Sequence, residues 1–334
     1  MERKPLTAKK IAKILTLLSM ALILSFLVSI ASGVSDIGFY KAISSFFSSE
    51  KNLAKTIIFN IRLPRFAIGA MAGWALGISG AVFQGILRNP LADSYVLGVA
   101  SGAAFGAVLS IFLGIDYAFF GIPLYSLLGA LFSVFVVYYI ARVDGKLNTG
   151  RMILAGIIVG TFFSAGVSFI ISVVPYSMLG GIVFWLLGDL STQDMGVVKA
   201  IAPYVTAGSV PLIVYSNHLN ILSLGEDGAE QLGLKVKRSL AMFFLFASLL
   251  TSTIVSVCGI IGFVGLIVPH IIRIIFGPDY RLLVPAAGIA GAAFLVFSDI
   301  LARTVIVPQE LPIGVVTAFI GAPFFLYLLR WKRR

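Results

Sequence analysis

Ile221-Leu-Ser-Leu-Gly-Glu-Asp-Gly-Ala-Glu-Gln-Leu-Gly-Leu-Lys-Val-Lys-Arg238 is a polar, amphipathic stretch caught between two long apolar runs. Glu226 and Asp227 suit a helix N-terminus, where the macrodipole favours negative charge. Gly233 suits its end, and Lys235, Lys237 and Arg238 follow. Leu224, Ala229, Leu232 and Leu234 give this short predicted helix an apolar side. The flanking runs are long and apolar enough to lie in a membrane, so the stretch reads as a water-facing segment between embedded ones. It is a solvated loop or a surface for a water-soluble partner, and its composition leaves both open.

Apolar residues make up 59% of the 334 and charged residues 12%, about half the charged share of a soluble domain. Mean hydropathy is +1.03, so most of the chain does not face water. Runs of about 20 apolar residues mark transmembrane helices. Ten are predicted, at about 14–33, 64–86, 94–114, 121–141, 152–173, 195–215, 240–258, 261–276, 282–303 and 312–330. The fold class is therefore an all-α polytopic membrane protein, a single transmembrane domain over 1–334 with the polar segment 221–238 inserted. Pro175, Gly180, Gly181 and Gly188 break the stretch 175–194, which predicts a short outer helix there. Arg3, Lys4, Lys9, Lys10 and Lys13 before the first apolar run resemble a signal peptide. That run is longer than such peptides use and more membrane follows, so a retained first span is expected.

Ten spans put both termini on one side, and the positive-inside rule chooses which. With the N-terminus inside, the outer side holds Lys41, Lys51, Lys55, Arg62, Arg65, Lys199 and Arg303. The other 18 of the 25 basic residues fall inside. Both termini and segment 221–238 are thus expected in the cytoplasm. Basic residues gather at segment ends and form no stripe, which argues against nucleic acid as the partner of a chain with net charge +11.

No catalytic constellation appears. His218 and His270 stand apart, with no Cys or carboxylate at metal-ligand spacing. The single Cys258 excludes an intrachain disulfide. There is no G-x-x-x-x-G-K-[S/T] loop, so any ATP hydrolysis belongs to another chain. Charges at membrane edges still need a reason. Asp299 and Arg303 stand four apart and can pair on one helix face. Arg62 and Arg65 flank Leu63-Pro64 and, with Arg303, carry charge on the side expected to be poor in it. They are either snorkelling anchors or cations that hold carboxylates of a docking protein, and we favour the second.

Three smaller signals remain. Arg88-Asn-Pro-Leu-Ala-Asp93 reads as a tight turn, with Pro90 ending one helix and Asp93-Ser94 capping the next. Leu147-Asn-Thr-Gly-Arg151 is small and polar at an inner membrane edge, suited to a helix cap or a narrow gate. Gly69/Gly73/Gly77 and Gly98/Gly102/Gly106 recur every fourth residue and let helix backbones approach.

Together these landmarks resemble the FecCD-type permeases, type II ABC importers for ferric siderophores, haem and cobalamin. The matching strings are Arg62-Leu-Pro-Arg65, Ser79-Gly80 with Gln84, and Asn89-Pro-Leu-Ala-Asp93 running into Leu97-Gly98. Then come Leu224-Gly-Glu226, Ala229, Leu232-Gly-Leu234, and Gly262-Phe-Val-Gly-Leu-Ile-Val-Pro-His270 with Arg273. Last are Asp299, Ala302-Arg303, Glu310-Leu-Pro-Ile-Gly-Val-Val-Thr317 and Gly321-Ala-Pro323.

The resemblance implies a homodimer in the cell (inner or plasma) membrane. Two copies of a cytoplasmic ABC ATPase would carry ATP and Mg, and an extracytoplasmic substrate-binding protein would deliver the cargo. It implies no catalytic residue, cofactor or metal on this chain. Leu224, Gly225, Glu226, Ala229, Leu232, Gly233 and Leu234 match the ATPase-coupling helices. Arg62, Arg65 and Arg303 match the docking arginines, and Asn148 and Thr149 the cytoplasmic gate. The cargo itself is not legible, and an oxyanion such as molybdate also passes through this fold. Two other classes compete. An ion-coupled secondary transporter calls for ionisable residues near mid-membrane, whereas the acids here sit near span ends. An intramembrane enzyme calls for paired carboxylates or histidines at membrane depth, which the sequence lacks.

Overall fold

The computed structural model describes residues 7–32, 53–115, 121–143, 146–191 and 194–331. Arg3, Lys4, Lys41, Lys51, Lys332, Arg333 and Arg334, which entered the charge count, lie outside these residues. So does most of the stretch before the second span. The described residues form thirteen helices: α1 (Ala8–Ala31), α2 (Leu53–Ile86), α3 (Val99–Phe112), α4 (Ile122–Ala141), α5 (Thr149–Val173), α6 (Tyr176–Leu186), α7 (Met195–Val214), α8 (Ser216–Leu222), α9 (Glu226–Gln231), α10 (Val236–Cys258), α11 (Val264–Phe276), α12 (Tyr280–Thr304) and α13 (Ile313–Trp331). A small antiparallel hairpin, β1 (Arg142–Val143) with β2 (Lys146–Leu147), joins α4 to α5.

All ten predicted spans correspond to helices, and α6 is the short helix expected within 175–194. Among the described residues, seven helices are long and apolar enough to cross a membrane. α3 and α11 are shorter than their predicted spans, at 14 and 13 residues. They reach only about 20 Å of the roughly 30 Å hydrocarbon thickness. Non-helical backbone covers the rest, in 87–98 before α3 and 259–263 before α11. Such backbone survives at membrane depth only where protein satisfies its polar groups. The Tyr95 hydroxyl does this for Ile261, donating to its carbonyl and accepting from its N–H, both at 3.1 Å. Asp189 N–H bonds Cys258 O, while Ile313 and Gly314 N–H bond Gly188 O and Leu187 O. The breaks after α6, after α10 and before α13 therefore meet and satisfy one another.

α2 is the central helix, packed along α12 and also against α10, α11 and α7. Glycine sets two of the closest approaches. A Cβ on Gly73 would lie 2.1 Å from Gly291 O, and one on Gly291 would lie 2.2 Å from Gly73 O. Gly102 of α3 and Gly129 of α4 meet in the same reciprocal way. Lipid-embedded helices associate through such packing, since lipid removes the hydrophobic drive. The perimeter carries exposed apolar residues, among them Leu17 and Leu24 of α1, Phe132 and Phe135 of α4, and Phe162 and Phe169 of α5.

Two local expectations are corrected. The second span begins at Leu53, upstream of Pro64, because a π-helical turn over Ile58–Arg62 carries the helix through the proline. Pro64 lacks an N–H and crowds the preceding turn, and the wider turn, with Leu63 N–H on Ile58 O, accommodates it. Asp93 and Ser94 do not cap α3. Gly98, at φ 73°, precedes it, and Ser94 Oγ instead bonds Leu76 O of α2 at 3.0 Å, drawing the loop inward.

Candidate functional site

The polar segment of the sequence forms one short helix, α9, and follows a second, α8, at one end of the bundle. α9 begins at Glu226 as its acids predict, and Gly225 and Gly233 take φ values of 108° and 81° around it. α8 was not foreseen, since most of its residues fall between the predicted span 195–215 and the polar segment, and Ser216, Asn217, His218 and Asn220 break the apolar pattern. The apolar side expected of this segment divides in two. Ala229 is fully buried and Leu234 packs partly against the core. Leu224 and Leu232 turn outward, 67% and 62% exposed. Glu226 is half-buried beside them. The result is a polar helix flanked by two exposed leucines, a small raised surface able to seat in an apolar groove.

At the opposite end of α12 the structure gathers the three arginines singled out by sequence, and it buries them. Arg62, Arg65 and Arg303 are 3%, 7% and 4% exposed, where outward surface positions were expected. Arg65 Nε donates to Asp299 Oδ1 at 2.9 Å, and its Nη1 to Glu310 Oε2 at 2.6 Å. Arg303 Nε meets Asp299 Oδ2 at 3.0 Å, the pair expected from their spacing. Arg303 also donates to Ser29 Oγ at 3.0 Å and Ser32 O at 3.2 Å, and Arg62 to Ile30 O. The C-terminus of α1 thus adds carbonyls to two carboxylates, and its dipole end favours cations. Buried charges require such partners. Glu310, with 36% of its side chain exposed, is the acid of this network nearest solvent. Sequence reasoning missed the roles of Ser29 and Glu310, whose partners lie on other helices.

Asn148 caps α5, its Oδ1 accepting from Arg151 N at 2.9 Å, and is exposed next to a half-buried Thr149. The structure therefore gives Asn148 the capping role, and leaves both residues at the mouth of α5 beside the hairpin.

Over residues 21–331 the sequence matches the FecCD transport family. The chain belongs to this family. Among its relatives, the cobalamin import system permease BtuC of Halobacterium salinarum is 44% identical, over 83% of this chain and 74% of that protein. The hemin transport permease HmuU of Yersinia pestis is 32% identical over 95% and 96%. An uncharacterized ABC transporter permease of Bacillus subtilis, YvrB, is 42% identical over 86% and 82%. A solved metal-chelate type ABC transporter in an inward-facing conformation superposes with a TM-score of 0.83, at 31% identity over 96% of this chain and 99% of that one. This FecCD-family permease is thus a multi-pass membrane transport subunit and not an enzyme.

Beside α8 the permease has a second polar cluster. Asn220 Nδ2 donates to Asp279 Oδ1 at 2.9 Å, and its Oδ1 accepts from Tyr280 N at 2.9 Å. Asp279 caps α12 and is gripped by Arg281, with Nη2 at 2.5 Å from Oδ2. These contacts, Arg281 first, hold the Asp279 carboxyl down at a pKa of about 2. Arg273 Nη2 reaches the Tyr280 hydroxyl at 3.2 Å and Gln84 Oε1 at 3.4 Å. Gln84 Nε2 in turn donates to Leu266 O at 3.1 Å and lies 3.5 Å from Gly265 O. Pro269 cannot serve Gly265 O as an ordinary helical N–H would, so the glutamine of α2 mends the first turn of α11.

Proposed function

We propose that this chain is the membrane-spanning subunit of an ATP-driven importer. It moves a metal chelate (ferric siderophore, haem or cobalamin) inward from an extracytoplasmic binding protein. It works as a homodimer, with an ABC ATPase under each copy. The observation that carries the reading is the exposed pair Leu224 and Leu232 flanking α9, on a family member whose relatives include cobalamin and hemin permeases. Two leucines held in water have a natural use as knobs for a partner's groove. In this reading α8, α9 and both termini face the cytoplasm, and Asn148 and Thr149 line the inner gate. The three arginines face the binding protein, and Glu310 is the acid that a partner carboxylate replaces on Arg65.

The test is co-purification of the permease with the ABC ATPase encoded beside it. The double substitution Leu224→Asp and Leu232→Asp is expected to leave the permease folded and to abolish stable association. Hot-spot side chains cost about 2–4 kcal/mol on truncation, or some 30- to 1000-fold in affinity. Association at full strength would remove the proposed interface. The cargo follows from which chelate the neighbouring binding protein retains.

A further inference from the structure

The cluster around Asn220 stands between α9 and a cavity at the far end of α11. That cavity, of about 560 Å³, is lined by Leu187, Ile260, Gly262, Phe263, Gly314 and Phe319. It is bounded by the breaks before α11 and α13, where Ile313 and Gly314 N–H bond the break after α6, and Phe263, at φ 69°, opens α11 into it. α8 leads into α9 through only Ser223, Leu224 and Gly225. Asn220 commits both ends of its amide to the N-terminus of α12, one to the capping carboxylate and one to the Tyr280 N–H. The Tyr280 ring packs on Gly85 of α2, where a Cβ would lie 3.1 Å away, so the ring is confined. Its hydroxyl meets Arg273 on the last turn of α11, and the guanidinium lies 5.1 Å over the ring.

The joint at Arg273 is loose by comparison with the rest. Its hydrogen bonds are long and go to neutral oxygens, and its Nε is buried without an acceptor. A buried donor left unmade is costly, so a small shift of α12 against α11 can exchange one set of contacts for another. The two Asn220 contacts to α12, by contrast, are both 2.9 Å and go to a backbone N–H and a carboxylate, beside a 3.2 Å contact to Asn217 Oδ1 on its own helix. A firm grip followed by an adjustable joint is what transmission of a displacement requires.

We propose that Asn220 is a positioning residue through which movement of α9 reaches α11 and the cavity beyond it, by way of Asp279, Tyr280 and Arg273. This rests on the ATPase-docking role given to α9 above. Such a link requires evidence of coupling and not only adjacency, so the test reads both ends. In a Cys258→Ala background, Gly262→Cys places a thiol at the cavity, where nothing lies within 4 Å of an added Cβ. The complex with its ATPase, in proteoliposomes, is labelled with maleimide before and after trapping ADP with vanadate.

Trapping is expected to change the labelling rate several-fold in this background. With Asn220→Ala added, ADP is expected to be trapped to the same extent while the labelling rate stays constant. Tyr280→Phe, which deletes only the hydroxyl at the loose joint, is expected to lose part of the change. Equal thermal stability of the variants separates this from a packing defect. A chain that binds no ATPase overturns the function reading itself. A complex that traps ADP with no change at residue 262 overturns the relay alone, as does Asn220→Ala responding like its parent.

Discussion

Asp299 is 2% exposed and receives two guanidinium groups, one from its own helix and one from α2. Asp299→Asn keeps the shape and removes the charge, leaving Arg65 with Glu310 alone and Arg303 with hydroxyl and carbonyl oxygens. Breaking a buried pair costs about 3–5 kcal/mol, because the abandoned charge stays buried. Unfolding of the purified permease in detergent is expected to show a loss of that size. A loss under about 0.5 kcal/mol, ordinary for a surface site, would mean the network is solvated in the membrane. Only part of this was legible. The pairing of Asp299 with Arg303 follows from a separation of four residues. Arg65 bonds residues 234 and 245 positions away, and an arginine at a span end reads alike whether water or an acid meets it.

Helices meet at two kinds of glycine, and substitution tells them apart. Gly73→Val puts its Cβ 2.1 Å from Gly291 O, so α2 and α12 must separate. Overpacking of this kind costs about 1–3 kcal/mol or more. Gly180 in α6 has nothing within 4 Å of an added Cβ, and Gly180→Ala is expected to stabilise by about 0.4–1 kcal/mol through lower unfolded-chain entropy. Opposite shifts in thermal melting check both, and two shifts of one sign would contradict the packing. At this scale the sequence was legible in the positions and order of the spans, because twenty apolar residues in a row have few other uses. It was not legible in 93–98 and 259–263. Asp93-Ser94 read as a helix cap, residues 96–98 and 259–263 are as apolar as the helices they precede, and composition does not separate a lipid-facing helix from extended backbone enclosed by other helices.

Across the whole permease, orientation rests on charge, and thiols can read it. In the Cys258→Ala background, Glu230→Cys on α9 is expected to react with a membrane-impermeant reagent only once the cytoplasm is opened. Gln309→Cys, in the exposed loop after α12, is expected to react in intact cells or spheroplasts. The reverse pattern would invert the chain and remove α9 from the reach of an ATPase. The ion network also gives the protein a history. Arg65 leaves the ribosome 234 residues ahead of Asp299, about 10–50 s at ordinary rates of synthesis. For that time the nascent chain holds a cation at a span end with its acid still unmade, and it must snorkel to the interface to stay hydrated. The C-terminal third of the message thus decides whether an N-terminal helix can settle, and a chain halted before α12 becomes a natural substrate for membrane proteases.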